Sequence, residues 1–314
     1  MSDYLIYGKI IIDDIRLSTG QIVSNVLGGG GPQAAFGARL WNNSVGLLSR
    51  SGTDLELEHV TTLRNLDIDL RGWHQYPDIP TMRNALLDYD ADGYMNFKGG
   101  NPLEGAIDRK NFTRLLQQVL PLPVTYQEPR MIHLITEFAD EPMIQTAMQL
   151  QKQGAVFSLE PIIDFALWSN RASILGILPH VDIATPDWPS ASGIAGSVDP
   201  AQVVRYWSQL GPRMIAIRHG SRGSYVWDRD HADIWHIPAV AVNVVDPTGA
   251  GNCYGGGLSV GWELTKDARL AGSYGTVAAK YLVERVGMPI LTTKLHAEAQ
   301  RLLELTVAAA NRIS

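Results

Sequence analysis

Val244-Val245-Asp246-Pro247-Thr248-Gly249-Ala250-Gly251-Asn252-Cys253-Tyr254-Gly255-Gly256-Gly257 is the stretch whose reading decides the fold. The β-branched run from Val240 to Val245 reads as a strand. It ends in a glycine turn, and an apolar helical pattern begins near Asn252. Strand, glycine turn and helix N-terminus together make an anion hole. The first amides of a helix lack internal partners and carry partial positive charge, so phosphate is a natural ligand there. Glycine lets the backbone come close and adopt φ > 0. The stretch therefore predicts a phosphoryl-handling site. It is neither Gly-x-x-x-x-Gly-Lys-Ser/Thr nor Gly-x-Gly-x-x-Gly.

Working outward, Leu5 to Ile12 reads as a buried strand, and Gly28 to Gly31 with Pro32 opens an Ala-rich helix, Gln33 to Trp41. Val45 to Leu48 is strand-like and Glu56 to Asn65 helical. Met82 to Asp88 and Tyr94 to Phe97 pattern as a hairpin around Asp90-Ala91-Asp92-Gly93. After Asn111 the pattern is regular. Strands are expected at Met131 to Ile135, Ala155 to Leu159, Val181 to Ala184 and Arg213 to Ile217. Helices run to Leu120, from Glu141, and over Asn170 to Leu178 and Pro200 to Leu210. The end reads as helices Asn252 to Leu264, Ala268 to Val286 and Lys294 to Ile313. Alternating strands and helices predict an α/β fold: a doubly wound, mainly parallel sheet with helices on both faces. No repeat or linker interrupts the chain. One domain over 1–314 is expected, with excursions at about 13–27 and 70–105 forming a small β layer.

At 314 residues the chain is long for one domain, but large α/β domains reach this size. A hydrophobic content of 45% supports a full core. A net charge of −6 argues against nucleic acid or an anionic membrane as the main partner. One cysteine rules out an intrachain disulfide and a Cys-based zinc site, and suits a reducing cytoplasmic setting. No apolar run approaches the roughly 18–20 residues of a membrane span.

These motifs resemble the ribokinase, or PfkB-type, carbohydrate kinases. Asp246, Gly249, Ala250 and Gly251 match the family's second signature, Asp-Thr-x-Gly-Ala-Gly-Asp, and Asn252 stands at its last Asp. The resemblance implies that this last position is the general base that deprotonates the acceptor alcohol, which an amide cannot do. Gly8 and Asp13 match the opening Gly-x-x-x-x-Asp, whose Asp binds sugar hydroxyls. Gly28-Gly29-Gly30-Gly31-Pro32-Gln33-Ala34-Ala35 resembles the first signature, with Gln33 at its sugar-binding Asn. Gly46, Gly52 and Asp54 fit further landmarks. Glu160-Pro161 and Ala166-Leu167-Trp168 resemble an Asp-Pro-Asn-x-Arg-x-x-Leu-Trp segment, with Ile162 and Asp164 at its Asn and Arg. Asp187 and Ser190 stand where the family has the Asn-x-x-Glu that organises magnesium and phosphates. Arg218-His219-Gly220-Ser221-Arg222-Gly223 resembles the nucleotide loop Thr-x-Gly-x-x-Gly, with Arg218 at the Thr.

The resemblance thus implies a ribokinase-like fold with a β lid and a possible homodimer through that lid. It implies ATP with Mg2+, and a sugar, sugar-like or nucleoside alcohol as substrate. Catalysis falls to Gly249, Ala250, Gly251 and Asn252, and substrate binding to Asp13, Gly29, Gly30 and Gln33. Nucleotide binding falls to Arg218, Gly220, Gly223, Asp246 and Thr248, with the adenine near Ala268 to Val286. Metal ligands stay unassigned.

Glycines set backbone shape and match the family, while side chains that choose substrate, metal and proton acceptor differ. Two functions follow: a phosphotransferase retuned or slowed by Asn252, or a non-catalytic nucleotide- or sugar-binding sensor or scaffold. Losing a general base costs about 10²–10⁴-fold, which an anion hole survives. An Asp at 252 would be held ionised by the helix N-terminus. Asn252→Asp is therefore expected to keep the structure and to raise turnover about ten-fold or more, unless the site is built around the amide.

Three further features have plain structural readings. Asp88-x-Asp90-x-Asp92-Gly93 begins like a calcium loop, but Gly99 stands where a bidentate Glu is needed, so a solvent-facing hairpin tip is expected. Cys253 reads as a small buried residue and His219 as an exposed loop histidine. Gly255, Gly256 and Gly257 cost up to about 1 kcal/mol each in a helix; packing and ligand contact explain them equally well.

Overall fold

The computed structural model describes residues 1–90, 92–95 and 109–314. Its strands are β1 (Tyr4–Tyr7), β2 (Ile11–Arg16), β3 (Ile22–Gly28), β4 (Val45–Gly52), β5 (Asp69–Tyr76), β6 (Met82–Leu87) and β7 (Met131–Thr136). They continue with β8 (Val156–Pro161), β9 (Ile183–Ala184), β10 (Met214–Arg218), β11 (Ser224–Asp228), β12 (Ile234–Ile237) and β13 (Asn311–Ile313). A ten-stranded sheet has the order β13-β12-β11-β10-β9-β8-β7-β1-β4-β5. It is parallel from β5 to β10 and antiparallel beyond. The second sheet, β3-β2-β6, is the lid.

The central strands are buried on both faces, as parallel strands between helix layers must be. Successive side chains point to opposite faces. Leu5 and Tyr7 accordingly enter one core with Met143, Ile144 and Trp207. Tyr4 and Ile6 enter the other with Ala34, Ala38 and Leu258. Helices Pro142–Lys152 and Pro200–Ser208 cover the first face, and Gly31–Arg39 and Ala250–Thr265 the second. The doubly wound arrangement with a β lid is the one expected.

Several local expectations are corrected. Leu5 to Ile12 is not one strand. It breaks at Gly8, where a Cβ would lie 2.6 Å from the Gly31 Cα, and the chain crosses from β1 into the lid strand β2. Hydrophobicity runs through the break because both sheets bury that run. Residues 70–76 lie in the main sheet, since β5 pairs with β4, and the lid's second segment starts at Met82. Val240 to Val245 is not a strand. The edge it would join is taken, because β12 pairs with β13, and the amides of Val245 and Asp246 reach the Val283 carbonyl instead. The last helix is Thr293–Ala309, not a helix to Ile313: Ala310 turns extended and β13 follows. β11 and β12 were not expected at all. Tyr89 bridges Met95 as a hairpin requires, while Phe97 lies outside the described residues.

The glycine-rich helix start is explained by packing. Helix Ala250–Thr265 meets helix Gly31–Arg39 backbone to backbone. A Cβ on Gly256 would stand 1.9 Å from the Ala34 carbonyl oxygen, and one on Gly37 2.1 Å from that of Cys253. Gly255 faces His133 and Glu160, and Gly257 faces Ala278. Gly176, also helical, meets nothing within 4 Å. Gly176→Ala should therefore stabilise by roughly 0.5–1 kcal/mol. Gly256→Ala should lose about 1–3 kcal/mol, because overpacking outweighs the propensity gain. Urea denaturation of the two variants measures the contrast; equal shifts would mean the helices can move apart freely.

Candidate active site

Strand connections run outward in both directions from β1, to β4 and β5 on one side and to β7 and β8 on the other. In open α/β sheets the ligand crevice lies beyond the C-terminal strand ends at such a switch. Glu160 near the end of β8, Arg218 at the end of β10 and the lid following β1 all converge there.

Two helix N-termini meet at this corner. Helix Gly31–Arg39 is entered through Gly29 at φ 98° and Gly30 at φ 85°, and helix Ala250–Thr265 through Gly249 at φ 76°. Only glycine takes these angles readily. Gln33 folds back so that its Oε1 accepts the Gly30 amide at 2.9 Å. Its amide group then lies against the second turn: a Cβ on Gly249 would be 2.5 Å from Gln33 Nε2. A Cβ on Gly30 would be 3.3 Å from the Asn252 side chain. Gly29, Gly30, Gln33, Gly249, Ala250, Gly251 and Asn252 thus form one corner at two helix N-termini. The Gly31 and Ala250 amides are held by the Lys9 and Pro247 carbonyls, while Gly251 and Asn252 supply first-turn amides that lack a helical partner. Adding their dipoles favours an anion.

Beside it lies a buried charge network that sequence reading did not foresee. The Asn252 Nδ2 donates to Glu160 Oε1 at 2.8 Å, and Arg218 Nη1 donates to the same oxygen at 2.7 Å. His133 Nε2 stands 3.5 Å from Glu160 Oε2. Burial works to raise the Glu160 carboxyl, but the Arg218 guanidinium and His133 outweigh it and hold it below the usual carboxylate range. The guanidinium lies over the anion hole, since a Cβ on Gly251 would be 1.9 Å from Arg218 Nη1. Arg218 Nε is buried and makes no hydrogen bond. The sequence carries part of the signal: Glu160 stands at a family landmark, but only the fold pairs it with Asn252 and Arg218.

On the lid side Asp13 is 2% exposed, and its Oδ1 accepts from Asn84 Nδ2 at 2.6 Å. Burial raises its pKa to about 7; Asn84 opposes this, and the charges of Asp246 and Asp14 add to it. Asp246 is buried, which raises its pKa, while its Oδ1 accepts the Thr248 amide at 2.9 Å. Asp13, Gln33, Asp246 and Thr248 line one small cavity.

The Arg218-to-Gly223 loop is a tight β10–β11 connection. Gly223 has φ 89°, and a Cβ there would stand 2.0 Å from the Ile237 carbonyl oxygen. Gly220 is exposed at the mouth and Arg222 faces solvent. His219 is not an exposed loop residue. It stacks on Trp188 at 4.0 Å and 8°, and burial, with Arg222 nearby, pushes its pKa down to about 4. The hairpin tip is only partly in solvent. The Asp90 carboxylate accepts the Asp92 and Tyr94 amides, which makes it a turn former. Gly93 lies on Pro247, and a Cβ on Gly220 would be 2.8 Å from the Asp92 carbonyl oxygen. Cys253 is fully buried and burial pushes its thiol well up, so it is inert. Asp187 caps helix Trp188–Ala195 by accepting the Ser190 amide at 2.9 Å. Among the described residues no group of three or more His, Cys, Asp or Glu is placed to hold a metal ion, and no helix is long and apolar enough to cross a membrane.

The fold has known counterparts. A cytidine kinase of Thermococcus kodakarensis is 23% identical over 287 residues, spanning 91% of this chain and 98% of its own. The adenosine kinase of Sinorhizobium meliloti superposes with a TM-score of 0.75 at 18% identity, over 96% of this chain and 99% of that one. The Vibrio cholerae fructokinase bound to fructose, ADP and calcium gives 0.72 at 18% identity, with the same coverage. Residues 1–293 match the pfkB family of carbohydrate kinases. The chain belongs to that family, and its activity class is ATP-dependent phosphoryl transfer to an alcohol of sugar or nucleoside type.

Proposed function

We propose that residues 1–314 act as one kinase unit that moves the γ-phosphoryl group of ATP onto a hydroxyl of a sugar or nucleoside held under the lid. The observation that carries this reading is the Arg218 guanidinium poised over the Gly249–Gly251 turn. Phosphoryl transfer is catalysed mainly by positioning and charge stabilisation. First-turn amides and a guanidinium aimed at one point supply both. The unpaired Arg218 Nε fits a phosphate oxygen. Gly220, Gly223 and Thr248 shape the nucleotide side; Asp13, Gly29, Gly30 and Gln33 shape the alcohol side. Magnesium enters on the phosphates of ATP, as this ion commonly does, where it neutralises their charge. A cytosolic setting, where ATP is plentiful and Cys253 stays reduced, belongs to this reading. So does pairing of two copies through the open edge of β3, where Ile22 is exposed.

One observation favours a non-catalytic binder: the Asn252 amide is spent on Glu160 and faces no substrate as a base. Assaying ATP consumption with a panel of sugars and nucleosides separates the readings. Binding of ATP without turnover of any alcohol would establish the binder.

Arg218 serves as the test residue for the phosphate side. Removing its charge would strand Glu160, so the charge-keeping Arg218→Lys is used. A lysine is a point charge without the planar fork. Arg218→Lys should raise the KM for ATP about ten-fold while the circular dichroism spectrum and melting point stay near wild type. An unchanged KM would remove Arg218 from the nucleotide site.

The fold also revises what Asn252→Asp should do. An aspartate there would place an oxygen about 2.8 Å from Glu160 Oε1, so one of the two carboxylates would stay protonated. We expect no gain in turnover at neutral pH and a loss of roughly 1–3 kcal/mol in stability. Adding Glu160→Gln should relieve the clash. A ten-fold gain in the single variant at unchanged stability would show instead that position 252 is a vacant base site.

A further inference from the structure

Asn252 leaves the anion hole without a carboxylate of its own, and Glu160 Oε1 is taken by Arg218 and Asn252. A proton acceptor must come from another side chain nearby. Two carboxylates, Asp13 and Asp246, line the small cavity that shares Gln33 and Thr248 with this corner. Asp246 is turned into its own loop, where Oδ1 takes the Thr248 amide. Asp13 is turned toward the glycine turns. Its Oδ1 is fixed by Asn84, and its Oδ2 lies 1.9 Å from where a Cβ on Gly28 would stand. Gln33 Nε2 is 3.4 Å from that same position and 2.5 Å from the corresponding position on Gly249. Gln33 therefore links the two: it lines the cavity with Asp13 and its amide lies against the Gly249 turn.

We propose that Asp13, beyond holding the substrate, is the proton acceptor of the transfer. This rests on the kinase reading above. The substrate hydroxyl lies between Asp13 and the Gly249–Asn252 turn and gives its proton to the Asp13 carboxylate. Its oxygen forms a bond to the γ-phosphorus as the bond from that phosphorus to the bridging oxygen breaks. ADP leaves with that electron pair.

The environment suits a base. General bases work best with a pKa near the operating pH, and burial brings Asp13 to about 7. The titratable groups facing it are Asp14 on its own strand, Asp246 from the glycine turn, Tyr89 from the hairpin, and Arg285 beyond helix Ala268–Val283. Asn84 and Gln33 face it as neutral amides. Below its pKa Asp13 holds the proton and cannot accept another. Transfer therefore rises with pH through about 7 and levels off above it.

The test is γ-phosphoryl transfer from ATP to the panel of alcohols across about pH 5 to 9. It uses wild type, Asp13→Asn and Asp246→Asn, with carboxyl carbon NMR titration of the wild type. The expected wild-type profile has an ascending limb near neutrality. Asp13→Asn lowers kcat by about 10²–10⁴-fold and removes the limb. Asp246→Asn moves the limb to lower pH, because a like charge beside Asp13 is gone. If Asp13→Asn raises only the KM for the alcohol and keeps the limb, Asp13 is a binder and the proposal is overturned. An Asp13 carboxyl that titrates in the ordinary range of about 4 overturns it as well. Should Asp13→Asn not fold, an unmoved limb in Asp246→Asn decides against it. Wild type that transfers to no alcohol, with Asp13 titrating near neutrality, defeats the kinase reading itself and this proposal with it.

Discussion

Two helices in backbone contact set the position of everything else. Gly37 and Gly256 let Gly31–Arg39 and Ala250–Thr265 approach until carbonyl oxygens fill the space of absent side chains. One end of that contact brings Gly30 and Gly249 together, so two helix N-termini open into one corner. A larger residue at either glycine would separate the helices and split the corner into two weak half-sites. The helices bury their other faces on the sheet, so the corner is held by the second core and not by loops.

The corner's charge is balanced from below. Glu160, fully desolvated, is tolerable only because Arg218, Asn252 and His133 surround it. An acid at 252 would add a second anion to a pocket already holding one. The amide at 252 and the arginine at 218 thus act together, both on Glu160 Oε1. Each is hard to interpret alone, and together they give a site with its fixed anion in the floor and its cation over the mouth.

Glycine turns and strand–helix alternation made the architecture legible in the sequence, because backbone shape leaves a mark at each glycine. Gly249, Gly30 and Gly223 were readable for that reason. The Glu160–Arg218–Asn252 network was not, since its members lie 58 and 92 positions apart and only pairing across strands joins them. The misread Val240–Val245 run shows the limit of local pattern: β-branched residues fit a strand, but a strand needs a free edge, and β13 had taken it. The burial of His219 is illegible for a similar reason, because Trp188, its stacking partner, comes from a different element.

The hairpin tip rests on both Gly220 and Pro247. It therefore bridges two segments that are far apart in the chain, the Arg218-to-Gly223 loop and the turn that opens helix Ala250–Thr265. Close packing transmits displacement. A shift of either segment presses on the tip and through it on the other, so the two loops answer to one another.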